Sequence, residues 1–200
     1  MTVSNASHRY RRNRRRLLCT GLWTLGIFSM MAAGGYAFER PSPAGPVRAL
    51  RVGTLAHDVD GLWSGESKEK GPDLCAEVIF NRSLFLLFSA TAYPNAGVSI
   101  NTRGDTSKVY GGFLLQWEPE SVFFFSTGLG LALHNGQLDT NSANQKALGS
   151  RVLFRIPIEI GYTVNHHHRI ILAFDHVSNA GLASPNEGMD TLGLVYEYRY

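Results

Sequence analysis

Cysteine is almost missing from this chain: 200 residues hold two, Cys19 and Cys75. Such a pair cannot build a disulfide-stapled fold. From residue 38 onward there is also no apolar run long enough for a transmembrane helix, and no sustained spacing of apolar residues at the helical period. The sequence lacks a phosphate-cradling glycine loop and the Cys/His spacing of a zinc site. No cofactor and no metal is therefore expected. Excess charge of either sign is absent too, at 19 Lys+Arg against 16 Asp+Glu.

The small positive excess is a property of the first residues. Arg9, Arg11, Arg12, Arg14, Arg15 and Arg16 precede an uncharged stretch from Leu17 to Tyr36, and small residues surround Ala37. This is the pattern of a secretory signal peptide over residues 1–37, cut after Ala37. The rival reading is an uncleaved anchor, because twenty uncharged residues can span a bilayer. Gly, Ser and Thr dilute the stretch, and the small-x-small site favours removal. Cys19 has no apolar run before it and makes a poor lipoprotein site. Without the leader the chain keeps thirteen basic against sixteen acidic residues, net −3, so nothing supports a nucleic-acid partner. Cys75 is then a solitary thiol, read as buried.

What is abundant is strand material. Residues 38–46, rich in proline, read as a flexible lead-in. Residues 47–200 read as one β domain of eight runs: Val47–Asp58, Asp73–Arg82, Tyr93–Asn101, Ser107–Trp117, Ser121–His134, Gly149–Val164, His168–Ser178 and Gly188–Tyr200. Leu84–Ser89 fits three descriptions: an extension of the second strand, a start to the third, or an interfacial connector. Polar loops around Val59–Pro72, Asn135–Leu148 and Asn179–Glu187, with the shorter Thr102–Thr106, alternate with tight turns at Glu118–Glu120 and Asn165–His167. Long loops on one side and short turns on the other predict an eight-stranded antiparallel transmembrane β-barrel of outer-membrane type. A spanning sheet must close on itself to pair its backbone. The end Tyr-Glu-Tyr-Arg-Tyr200 is similar to the terminal signal read by the barrel-assembly machinery, an expected partner during biogenesis. A homodimer stays open.

The last hairpin carries the chemistry. Ile170, Leu172, Phe174, His176 and Ser178 share one face of a strand, and Asp190, Leu192, Leu194, Tyr196, Tyr198 and Tyr200 share one face of the next. The antiparallel register that sets His176 opposite Asp190 also aligns Phe174 with Leu192 and Leu172 with Leu194. A serine, a histidine and a carboxylate then meet at the loop end of an apolar stripe. In that set Ser178 is the nucleophile, His176 the base, and Asp190 the group that orients the imidazole. Asp175, Glu197 and Arg199 fall on the opposite, interior face.

The wording around these residues resembles the lipid A 3-O-deacylases of the PagL family: Asp175-His-Val-Ser-Asn-Ala-Gly181, Pro185-Asn-Glu-Gly-Met-Asp-Thr-Leu-Gly193 and Tyr196-Glu-Tyr-Arg-Tyr200. The resemblance implies an outer-membrane acyl-ester hydrolase acting on lipid A in the outer leaflet, at the 3-position. It maps an oxyanion donor onto Asn186, with Asn179 as a further donor or support. The family's usual acid is Glu, so Asp190 departs from the pattern. A shorter acid requires closer strands or a looser contact, and Asp190→Glu is expected to keep or improve activity. Glu187 and Asp175 are the next acids to consider.

The remaining constellations read as structural. His166-His167-His168 looks like a metal cluster but falls in a short turn. His57 and Asp58 close the first strand. His134 caps the fifth strand, with a rim contact to lipid phosphate as its functional alternative. Two other readings of the whole chain stand beside the deacylase: a non-catalytic eight-stranded barrel with a structural or surface role, and a soluble secreted esterase.

Overall fold

Alternation along the long strands decides the architecture. In the segment Val152–Thr163, Leu153, Arg155 and Glu159 are buried while Phe154 and Ile160 are exposed, as a period of two requires. The computed structural model describes residues 45–200, so the expected leader and most of the lead-in lie outside the described residues. Among the described residues nine strands form: β1 (Val47–Ala56), β2 (Pro72–Phe80), β3 (Leu86–Leu87), β4 (Ala90–Asn101), β5 (Lys108–Trp117), β6 (Phe123–His134), β7 (Val152–Thr163), β8 (His168–Ser178) and β9 (Met189–Arg199). β1 pairs with both β2 and β9, β2 pairs with β4, and β4 through β9 pair in sequence, all antiparallel. Eight strands thus close into a barrel, with β3 left outside the ring.

β3 answers the question posed by Leu84–Ser89. It extends neither long strand. It folds back on the start of β4, with Leu86 opposite Thr91 and Leu84 N–H donating to the Ala92 carbonyl. Leu84, Phe85, Leu86, Leu87 and Phe88 are all exposed there. The fourth strand consequently begins at Ala90, three residues before the expected Tyr93.

Charge fills the bore. The Arg51 guanidinium reaches Glu197 at 2.7 Å, Glu77 at 2.9 Å and Glu159 at 2.9 Å, crossing from β1 to β7. Above it Asp175 pairs with Arg155 at 2.7 Å and Lys108 at 2.9 Å. Toward the short turns Glu118 receives Arg48, Arg169 and Arg199 at 3.1, 2.8 and 3.2 Å. Each ion is costly to desolvate, and removing one partner of such a pair costs about 3–5 kcal/mol. These contacts therefore tie distant strands across the interior. Cys75 joins Leu55, Phe124, Ile171 and Val195 in a buried inner cluster.

Apolar side chains turn outward instead. Val52, Leu74, Leu131, Ile160, Leu172 and Leu194 are each about half exposed, a pattern that lipid, and not water, would cover. Aromatics gather at the short-turn end, where Trp117 meets Phe125, Phe123 meets Tyr162, and Tyr198 meets Tyr200. They form the interfacial belt expected of a membrane barrel. Four loops, spanning residues 57–71, 102–107, 135–151 and 179–188, crowd the other end.

Candidate active site

β8 and β9 pair in the register read from the sequence, with His176 opposite Asp190, Phe174 opposite Leu192 and Leu172 opposite Leu194. That register brings the three candidate groups into one line. His176 Nδ1 lies 2.6 Å from Asp190 Oδ1, and His176 Nε2 lies 3.1 Å from Ser178 Oγ. One ring nitrogen thus faces the carboxylate and the other the hydroxyl, as a base between an orienting acid and a nucleophile must be arranged. All three sit on the outward face at the long-loop end.

An outward carboxylate is not expected to be buried, yet Asp190 is fully covered. The cover is the first long loop. Ser64 N–H donates to Asp190 Oδ2 at 2.8 Å, and Val59 N–H donates to the Asp190 carbonyl at 2.8 Å. Trp63 stands edge-on to His176, with centroids 5.1 Å apart, and to Phe174 at 5.5 Å. Trp63 and Ser64 were not singled out in the sequence. No local pattern marks them, because they reach the site only once β1 closes against β9. Edge-to-face aromatic contacts contribute about 0.5–1.5 kcal/mol each. If the three groups cleave an ester, as expected from the sequence, Trp63→Ala should lower kcat/KM about tenfold with the barrel still folding; steady-state kinetics in detergent micelles would check it.

The fourth long loop supplies the other wall. Asn179 N–H donates to Asn186 Oδ1 at 3.0 Å, which leaves the Asn186 amide hydrogens as donors. Asn179 itself is spent: its Nδ2 donates to the Leu148 and Pro185 carbonyls at 3.0 and 2.9 Å, and its Oδ1 accepts from Gly181 N–H. It holds the loop and has no side-chain hydrogen left for an oxyanion. Gly188 adopts φ +64°, and a Cβ there would lie 3.4 Å from His176 Cε1. Glycine thereby permits the chain to turn tightly beside the imidazole.

Behind the site the loops are stitched by a buried charge cluster. His57 Nε2 lies 3.0 Å from Glu69 and its Nδ1 2.8 Å from Asp73. Glu69 also accepts N–H bonds from Thr106 and Lys146, both at 3.0 Å, so the carboxylate joins three loops. Burial pulls the imidazole down, but the bonds to Asp73 and Glu69 outweigh it and raise His57 from 6.5 to about 9. For Glu69 burial pulls upward, and the bonds from His57, Lys146 and Thr106 prevail, lowering it from 4.5 to about 2. The stabilisation from His57 is thus complete below pH 6.5 and lost as pH rises through 9; that from Glu69 is complete above pH 4.5 and lost as pH falls toward 2. Loop resistance to proteolysis should peak between those limits, and His57→Gln should remove the alkaline loss.

The other sequence candidates fall elsewhere. Asp175 faces the bore with Lys108 and Arg155, so the barrel wall separates it from His176. Glu187 bonds Lys68 and accepts the Ala147 N–H at 2.8 Å, a loop-fastening role. The rim contact considered for His134 is not available: the ring is buried and its Nε2 lies 2.7 Å from the Ser150 carbonyl. In the histidine triplet, His167 lies 2.7 Å from the Arg199 carbonyl and His168 contacts the Tyr196 hydroxyl. Among the described residues no group of His, Cys, Asp and Glu is placed to hold a metal.

Fold and site together define a class: an outer-membrane β-barrel with a serine, histidine and carboxylate in line on its lipid-facing wall. The family model described as "Lipid A 3-O-deacylase (PagL)" matches residues 80–199, and the chain belongs to that family. It is 30% identical over 87 residues to lipid A deacylase PagL of Bordetella bronchiseptica, covering 44% of this chain and 47% of that protein. The match thus spans about half the length of that relative. Among solved structures, the outer membrane enzyme PagL superposes with a TM-score of 0.52 at 19% identity, covering 76% of this chain and 99% of that one. Neisserial surface protein A (NspA) gives 0.51 at 9% identity, covering 78% and 98%. Two such different barrels match equally well, so these superpositions speak for the fold alone.

Proposed function

We propose that this protein is an outer-membrane esterase that removes the ester-linked 3-hydroxyacyl chain from the 3-position of lipid A, with Ser178, His176 and Asp190 as its working groups. The observation that carries the reading is the continuous contact from Asp190 Oδ1 through the His176 ring to Ser178 Oγ, on the face that continues Phe174 and Leu172. Membership of the deacylase family supports the substrate class. A site opening sideways at the long-loop end would meet the outer leaflet, and the exposed stripe of Leu172 and Leu194 offers a bed for an acyl chain.

The chemistry runs in two halves. Ser178 Oγ attacks the ester carbonyl while His176 Nε2 takes its proton. Asp190 holds the Nδ1–H and stabilises the imidazolium, and Ser64 N–H holds the other carboxylate oxygen. The tetrahedral oxyanion accepts hydrogen bonds from the Asn186 amide and a nearby backbone N–H. Collapse breaks the ester bond, and His176 returns the proton to the departing sugar oxygen. Water, deprotonated by His176, then cleaves the acyl-serine, releasing the fatty acid and restoring Ser178.

The test is mass spectrometry of lipid A incubated with the refolded barrel in mixed micelles. Loss of one 3-hydroxyacyl chain, with appearance of the free acid, is expected. A folded barrel, recognised by its altered gel migration before boiling, that releases no acyl chain would instead leave the non-catalytic barrel as the reading.

A further inference from the structure

The third long loop sends one cation into the first. Lys146 is almost wholly buried, with its side chain 1% exposed, and its ammonium meets three oxygens: the Glu66 carbonyl at 2.6 Å, Asp58 Oδ1 at 3.2 Å and the Ser64 carbonyl at 3.4 Å. An ammonium has three hydrogens to give, so these partners complete it. The two carbonyls flank Gly65, whose φ of +74° and whose carbonyl's bond from Gly61 N–H at 3.0 Å form a tight turn. Asp58 is itself fixed, accepting the Lys68 and Glu69 N–H groups at 2.6 and 3.0 Å.

The turn clasped in this way carries the two residues that cover the site. Ser64 turns its carbonyl to Lys146 and its N–H to Asp190 Oδ2. Trp63, one residue earlier, packs on His176. The next residue after Lys146 reaches the opposite wall: Ala147 N–H donates to Glu187 Oε2, and its carbonyl accepts the Glu187 N–H, beside Asn186. A single dipeptide thus fastens both loops that frame the candidate triad.

We propose that Lys146 is a positioning residue for ester cleavage, holding Ser64 against Asp190 and Trp63 against His176 without touching substrate. This rests on the Ser-His-Asp reading above. The bland alternative is a buried ion pair, in which Lys146 serves only to neutralise Asp58. The two differ in what happens when both charges go. Asp58→Asn with Lys146→Met removes the unpaired-charge penalty that a single change leaves, but it does not restore the clasp on the Ser64 and Glu66 carbonyls.

The experiment compares wild type, Lys146→Met, the double variant and Ser178→Ala in the micelle assay, with gel migration as the folding readout and the labelling rate of Ser178 by a fluorophosphonate as a substrate-free measure of its nucleophilicity. For Lys146→Met and the double variant alike, kcat and the labelling rate are expected to fall at least tenfold in folded protein. A double variant above one tenth of wild-type kcat overturns the proposal, as does a folded Lys146→Met protein above that level. Should Lys146→Met not fold, the double variant decides alone by the same threshold. Ser178→Ala separates the two failures: if it cleaves like wild type the catalytic reading falls, whereas an inactive Ser178→Ala beside an active double variant removes only the role of Lys146.

Discussion

Ser178→Ala and His176→Ala should each abolish release of 3-hydroxyacyl chains, with kcat falling on the order of a millionfold. The hydroxyl supplies the attacking oxygen, and the imidazole 3.1 Å away is, among the described residues, the base in contact with it. Because the two act as a unit, the double variant should be hardly slower than either single one. Folding should survive all three. Ser178 and His176 stand on the outer face of β8, so neither supports the charged interior. His176 does support Trp63, and its removal should loosen the first loop while the strands stay closed. Acyl release by mass spectrometry, run beside the gel-migration test, checks both statements. A folded Ser178→Ala barrel that cleaves at the wild-type rate would defeat the proposed mechanism.

Asp190→Asn should lower kcat about 10³–10⁴-fold with the barrel intact. An amide in place of the carboxylate cannot stabilise the imidazolium, and it can present its own N–H to Nδ1, favouring the wrong tautomer. The sequence alone led to the expectation that Asp190→Glu would keep or improve activity. The structure changes that expectation. Asp190 already reaches His176 at 2.6 Å, so its shorter side chain leaves no looseness to cure. Its second oxygen is occupied by Ser64 N–H, and the residue is fully buried under the first loop. An added methylene must displace either the imidazole or Ser64. Asp190→Glu is therefore expected to lose about ten- to a hundredfold in kcat, and full activity in that variant would show that the slot has room.

Much of this was legible in the chain because strand physics is local. A side-chain period of two places His176 and Ser178 with Phe174 whatever the rest of the protein does, and one register alone aligns both apolar stripes of the last hairpin. The same parity assigned Asp175, Glu197 and Arg199 to the interior, where they make ion pairs. Alternating long and short connections pointed to a membrane barrel. Leu84–Ser89 was not decidable in this way, since five apolar residues and a serine suit a strand or a belt equally. Its placement depended on hydrogen bonds to β4.

The sequence by itself determined the eight long strands, from strand-forming runs broken by turn residues, and in the last hairpin the inner and outer faces and the meeting of His176, Ser178 and Asp190, which follow from alternation within that hairpin. Tertiary structure alone decided what surrounds them. Closure of β1 against β9 lays the first loop over Asp190, which gives the carboxylate its second partner in Ser64 and the imidazole its wall in Trp63. Contacts between loops turned Asn179 into a brace, gave the His134 ring its partner in the Ser150 carbonyl and buried Lys146 beneath the site. The cover over the site depends on residues far apart in the chain, 126 positions between Ser64 and Asp190, and no spacing rule relates groups that only a closed ring of strands brings together.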